Sequence, residues 1–238
     1  MKKSAMYFAF SMLLLILMGV GYLWMQGGLA INGQVGAGKR SEKAAESSVV
    51  YDVPKSDLKS KNFVKNAMPT RQGDYTVTRQ GVRVRLAEDK AIQGEVTSGP
   101  VSYKMKRIQL LQNEARTEQA QNVVRKALNV PNLPKNYTAA EIHYDITNHT
   151  DQTILTDGVA TVSYGYKDVM TTLGGLVNGS ELSNEGIAPG ATQEGYAIVW
   201  VPKQSVKSFK TFNIEFASTY NADGREVSEK TPQLKVNI

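Results

Sequence analysis

From about residue 75 onward, apolar and polar residues alternate with a period of two. In "YTVTRQGVRVRLAED" Val82, Val84 and Leu86 alternate with Arg83 and Arg85. Successive side chains of a strand point to opposite faces, so one face is apolar and the other charged. "GEVTSGPVSYKMKRIQLL" predicts two strands around the turn Ser98-Gly99-Pro100. Val101, Tyr103 and Met105 share one phase, Ile108 and Leu110 the other, and a bulge near Lys106-Arg107 reconciles them. "AEIHYDITN" sets Ile142, Tyr144 and Ile146 against His143 and Asp145. "GVATVSYGY" follows the turn pair Asp157-Gly158, and "GYAIVWVP" is apolar on both phases, as in a central strand. "FKTFNIEFAST" alternates Phe212, Ile214 and Phe216; Asp223-Gly224 marks a hairpin, and "PQLKVNI" supplies a closing strand. Short strands at these spacings, with turn signals between them, predict an all-β antiparallel sandwich.

One segment has the helical period. In "NEARTEQAQNVVRKALNVPNLP" Ala120, Val123, Val124, Ala127 and Leu128 recur at i, i+3, i+4, i+7 and i+8. The pattern predicts a helix over Asn113–Asn129, capped by Asn113 and closed by Pro131 and Pro134. Its apolar stripe is narrow, which suits a helix lying on a sheet face or edge.

The N-terminus has neither period. Lys2 and Lys3 precede an uncharged, mostly apolar run from Ala5 to Met25. About 20 apolar residues suffice to cross a bilayer core as a helix. Tyr22 and Trp24 stand where aromatic rings prefer the headgroup level. The run predicts a membrane anchor over residues 1–26, with the lipid bilayer as its partner. Gly28-Leu29-Ala30 offers a small-x-small site, so a cleaved signal peptide is the alternative. Lys2 and Lys3 favour a cytoplasmic N-terminus and hence an extracytoplasmic body, although Lys39, Arg40 and Lys43 follow the span.

Residues 27–74 show no sustained period and are rich in Gly, Ser, Ala and Lys, which predicts a flexible juxtamembrane linker. About 48 residues of such chain have a mean reach of roughly 35–40 Å. Within it, "GQVGAGKR" approaches a phosphate-binding loop. Such a loop needs a strand before it and a hydroxyl after the Lys to hold magnesium; here that position is Arg40. The segment is expected to bind no nucleotide. The predicted organisation is thus an anchor (1–26), a linker (27–74) and a sandwich (75–238).

Composition narrows the chemistry. The 238-residue chain has no Cys, which removes disulfides, thiolate metal sites and Cys nucleophiles. Its net charge of +6 suits anionic surfaces without specifying one. There are two histidines, His143 and His149. His143 and Asp145 share a strand face, but a metal site generally takes three or four ligands and no third is near in sequence; a solvated strand face is the expectation. No G-x-S-x-G nucleophile motif occurs. Asp151, Asp157 and Glu141 lie close in sequence, where turns attract Asp for backbone reasons. Arg83, Arg85, Lys104, Lys106 and Arg107 could form a basic patch, but without interleaved exposed aromatics it is not expected to bind nucleic acid. Tyr164 and Tyr166 share a strand face and are expected in the core. Sequons at Asn136, Asn148 and Asn178 would mark exposed loops. The Gly- and Asn-rich stretch "TTLGGLVNGSELSNEG" predicts a long loop, the place where binding usually resides on a rigid sandwich. That loop and the helical insertion are the candidate binding regions; no catalytic, cofactor-binding or metal residue is assigned, and no cofactor is expected.

Two stretches carry a resemblance. "IHYDITNHTDQTIL" is a strand ending in Asn, a polar turn and a further strand. "IAPGATQEGYAIVWVP" is a Pro-Gly turn followed by a strand ending in Val-Pro. Together they resemble the telokin-like, immunoglobulin-fold domains of unknown function on bacterial surface proteins and lipoproteins, over roughly Tyr75 to Ile238. The chain departs from them in lacking a lipobox Cys and in its inserted helix. The resemblance implies an immunoglobulin-like extracytoplasmic domain with no known chemistry and no functional residues to carry over. The function expected is a membrane-anchored domain binding a protein or cell-envelope partner. The alternatives are a hydrolase acting on an envelope polymer, and a structural spacer or accessory subunit of an envelope complex.

Overall fold

Two long strands, β4 (Val101–Ala115) and β5 (Asn136–Asn148), pair antiparallel along almost their whole length and carry everything else. The structure, a computed structural model, describes residues 50–164, 168–202 and 209–238. The N-terminal apolar run, the near-motif at 33–40, residues 27–49 of the expected linker, and Tyr166 lie outside the described residues. Among the described residues no helix is long and apolar enough to cross a membrane.

The main sheet has the order β1-β2-β4-β5-β10-β9, with β3 also on β4. Here β1 is Tyr75–Val77, β2 Val82–Ala91, β3 Glu95–Ser98, β9 Leu176–Asn178 and β10 Thr192–Val201. The expected bulge is present: the β4–β5 register shifts between Met105 and Arg107. It brings Val101, Tyr103 and Met105 onto the same face as Ile108 and Leu110, and all five enter one core. A second sheet has the order β14-β11-β7-β8, from β7 (Val159–Tyr164), β8 (Asp168–Thr171), β11 (Thr211–Phe216) and β14 (Leu234–Asn237). A small third sheet joins β6 (Ile154–Thr156), β12 (Thr219–Asn221) and β13 (Glu226–Ser228).

The first two sheets meet through aromatic side chains. Tyr103 of β4 stacks on Phe216 of β11 at 4.1 Å between ring centres, and Tyr144 of β5 meets the same ring edge-on at 4.8 Å. Tyr164 lies in this core as expected, edge-on to Phe209. The fold is therefore an all-β antiparallel sandwich.

The helix differs from its expected bounds. Asn113 does not cap it: β4 continues to Ala115, because Gln112, Asn113 and Glu114 pair with Thr138, Tyr137 and Asn136. The helix α2 runs Glu118–Ala127, and Thr117 caps it by accepting the Ala120 amide at 3.0 Å. Leu128 ends it, and Asn129 follows with φ of 49°.

Residues 53–74 are not a flexible linker. They belong to the same compact unit as the sandwich, which spans Val53–Ile238. A short helix, α1 (Lys55–Leu58), carries Asp57, which is buried. Asp57 accepts the Tyr75 hydroxyl at 2.8 Å and an Arg116 guanidinium N–H. Phe63 bridges to Tyr75 in parallel. Met68 packs on a second apolar cluster, Val82, Val84, Leu86, Leu111, Ala115 and Ala120, with Val124. This cluster occupies the back of the main sheet, so segment 53–74 and α2 together form an outer layer there. Long-range contacts hold this strap, and alternation along the chain does not announce them.

Candidate functional site

The long loop and the inserted helix, the two regions expected to carry binding, are joined in the structure. The loop is shorter than expected because it contains β9 and a one-turn helix, α3 (Glu181–Asn184). Its exposed large apolar side chain, Leu173, lies in the turn between β8 and β9. Thr171 and Gly174 exchange both backbone hydrogen bonds, at 3.1 and 2.9 Å, leaving Thr172 and Leu173 at the tip. They are the central residues of a tight turn that carries the chain from the second sheet to the main sheet. The Leu173 amide also donates to Thr171 Oγ1 at 3.2 Å.

The end of α2 then clamps this turn. Asn129 Nδ2 donates to the Leu173 carbonyl at 2.6 Å, and the Gly175 amide donates to the Leu128 carbonyl at 2.7 Å. On the far side the Trp200 amide of β10 donates to the Gly175 carbonyl at 2.7 Å. Asn tolerates the left-handed conformation found at helix ends, which turns its side chain free of the helix. The side chain of Leu173 is left 83 % exposed, and Val169 on the adjoining strand 56 %. A large apolar side chain on an immobilised backbone loses little further freedom when a partner covers it.

A second cluster lies on the outer face of the main sheet. The register opposes Arg107 to His143 and Gln109 to Glu141, while β10 places Tyr196 opposite His143 and Glu194 opposite Asp145. Glu194 is thus the diagonal neighbour of His143, within reach of a long side chain. His143 is 5 % exposed, not solvated as expected. Its Nε2 lies 2.8 Å from Glu141 Oε1 and its Nδ1 2.9 Å from Glu194 Oε1. Burial opposes a charge on the ring, but hydrogen bonds to the two carboxylates outweigh it and push the His143 pKa up to about 9. This favours the imidazolium at neutral pH, although the Arg107 guanidinium, 3.4 Å from Nε2, opposes it. The hydrogen bond from His143 holds Glu194 below the usual carboxylate range. This arrangement binds strands β5 and β10 together. Among the described residues no group of three or more potential ligands could hold a metal.

The remaining candidates fall into place around these two. Asp145 faces outward as expected but pairs with Lys106 at 3.0 Å rather than with His143. His149 Nε2 lies 3.0 Å from Ser102 Oγ on an exposed edge. Three of the five cations have partners on the sheet, Lys106 through Asp145 among them. Arg83 lies over the Tyr75 ring at 4.0 Å, and Arg107 stands 3.8 Å from Asp89. Of the sequons, Asn148 is fully buried, its Nδ2 donating to the Gln152, Ile187 and Ala188 carbonyls, so it is no exposed loop marker. Asn178 accepts from the Val159 amide and donates to the Val159 carbonyl, which ties β9 to β7.

Sequence reasoning missed Glu194, 51 residues from His143, and the Asn129 clamp. Asn129 did carry a signal: an Asn just past a helical stripe and just before Val130-Pro131 is a helix-stop pattern. No protein-family model matches the chain, and a search of curated proteins finds no match.

Proposed function

We propose that this protein is a membrane-anchored, extracytoplasmic sandwich that holds a protein or cell-envelope partner and performs no catalysis. Under this reading the sandwich is immunoglobulin-like and related to the telokin-like surface domains, and Ala5–Met25 is its single anchor. The observation that carries the binding role is Leu173, a leucine left 83 % exposed on a turn clamped by the helix end. Surface leucines on mobile loops can retreat against the protein; one on a turn closed by the Thr171–Gly174 pair and clamped through Asn129 and Gly175 keeps its apolar area in water until covered. Burying such a side chain is worth about 1.5–3 kcal/mol.

Crosslinking in native envelopes with a tagged full-length chain tests the reading. A defined adduct is expected with the wild type and is expected to be lost with Leu173→Asp; an unchanged adduct in that variant contradicts the site. Fractionation tests the location. The full-length form should sit in the membrane fraction and be degraded by external protease once the wall is removed. A shortened form in the medium contradicts the anchor, and protection from protease contradicts the topology.

A further inference from the structure

We infer that α2 couples the N-terminal strap to the β8–β9 turn, so that loosening Asp57 from Arg116 loosens the surface around Leu173. The helix is held at both ends by segments distant in sequence. At its start, Arg116 stands immediately before the capping Thr117; its side chain binds Asp57 of the strap and its amide donates to the Gly81 carbonyl at 3.0 Å. At its end, Leu128 and Asn129 supply two of the hydrogen bonds that fix the turn. Between these ends the helix has a single buried residue, Ala120. Val124 packs on the cluster that Met68 of the strap also covers, so strap and helix shield the same apolar surface. Such an element, with few buried side chains and strong end contacts, shifts as one piece.

The ion pair is well placed to act as the latch. Asp57 and Arg116 are both largely buried, and the hydrogen bond from Arg116 keeps the Asp57 carboxyl below its usual range. A pull along the chain from its N-terminal side reaches Asp57 within five residues of Asp52, the boundary of the compact unit. In a chain tethered at its N-terminus, force on the tether would then reach the docking turn through one helix. The regulatory meaning rests on the binding role proposed for that turn; the coupling rests on the contacts alone.

Hydrogen-exchange mass spectrometry on the full chain in detergent micelles tests it without any partner. In Asp57→Asn the amides of Gly174 and Gly175 are expected to exchange about fivefold to tenfold faster, while those of β5 stay unchanged. Coupling is reciprocal, so Asn129→Ala should quicken exchange at Leu58 and Lys59 of the strap by a similar factor. Faster exchange confined in each variant to its own element overturns the inference. Should Asp57→Asn loosen β5 as well, Asn129→Ala decides, since Asn129 is exposed and its loss leaves the core intact. Failure of Leu173→Asp to abolish an envelope adduct would overturn the binding role and leave these exchange patterns as they are.

Discussion

The two faces of β5 are built from alternate residues of one strand and follow opposite rules. Ile142, Tyr144 and Ile146 face the second sheet and are fully buried among aromatic rings. Glu141 and His143 face the other way and are almost as buried, at 8 % and 5 % exposure, yet they are ionisable side chains. The inner face is held by area and packing, which any residues of similar shape supply. The outer face is held by a small number of hydrogen-bonded charges, each of which is costly to leave unpaired. Over β2 and the end of β4 the outer face is covered by α2 and the strap around a small apolar cluster. Stability therefore belongs mainly to the inner face, and the specificity of the outer layer to its polar contacts.

The largest expected effect is on the inner face. Phe216→Ala removes the ring that both Tyr103 and Tyr144 contact and should cost about 3–5 kcal/mol in urea unfolding. A loss below a third of that would mean the sheets are held from outside. Gly195→Ala tests the same face by overpacking. A Cβ there would lie 2.7 Å from Tyr144 ring atoms and 2.8 Å from Leu182, which should cost about 1–3 kcal/mol.

On the outer face the test is pH. The folded His143 pKa of about 9 stands above its ordinary value of 6.5. Its contribution to stability is therefore complete below pH 6.5 and is lost as pH rises through about 9. Chemical denaturation at pH 7 and pH 10 should show wild type falling more than His143→Gln. That variant should itself lose about 1–3 kcal/mol at pH 7 by leaving Glu141 without its partner. Equal pH slopes in the two proteins would mean that the ring carries no charge in the fold. The smallest effect belongs to the cap: Thr117→Ala should cost about 1 kcal/mol, read as a shift of the thermal midpoint.

The inner face was legible in the sequence because period two survives wherever one face is dry. Val101, Tyr103 and Met105, Ile142, Tyr144 and Ile146, and even the bulge at Lys106-Arg107 were all visible as phase. The outer layer was not. Beyond the bulge, Leu111, Asn113 and Ala115 belong to the outer face, so polar Asn113 imitates a helix cap while lying buried in a strand. The strap has no period because its order comes from Asp57, Phe63 and Met68, each meeting a partner from elsewhere in the chain. His143 looks solvated until the fold delivers Glu194 from another strand. Of the candidate site, its two regions were legible from loop length and helical period. Their junction was not, because the hydrogen bond from Asn129 to Leu173 joins residues 44 apart.

The outer layer, from residue 53 to the end of α2, is part of the domain. Urea unfolding of fragments 50–238 and 75–238 tests this directly. Removing residues 50–74 takes away Asp57 and Met68 and exposes Arg116 and the cluster under α2. The account predicts one cooperative transition for 50–238, and for 75–238 a lower midpoint with increased binding of a hydrophobic dye. Identical midpoints and slopes for the two fragments would contradict it and return residues 53–74 to the role of a linker.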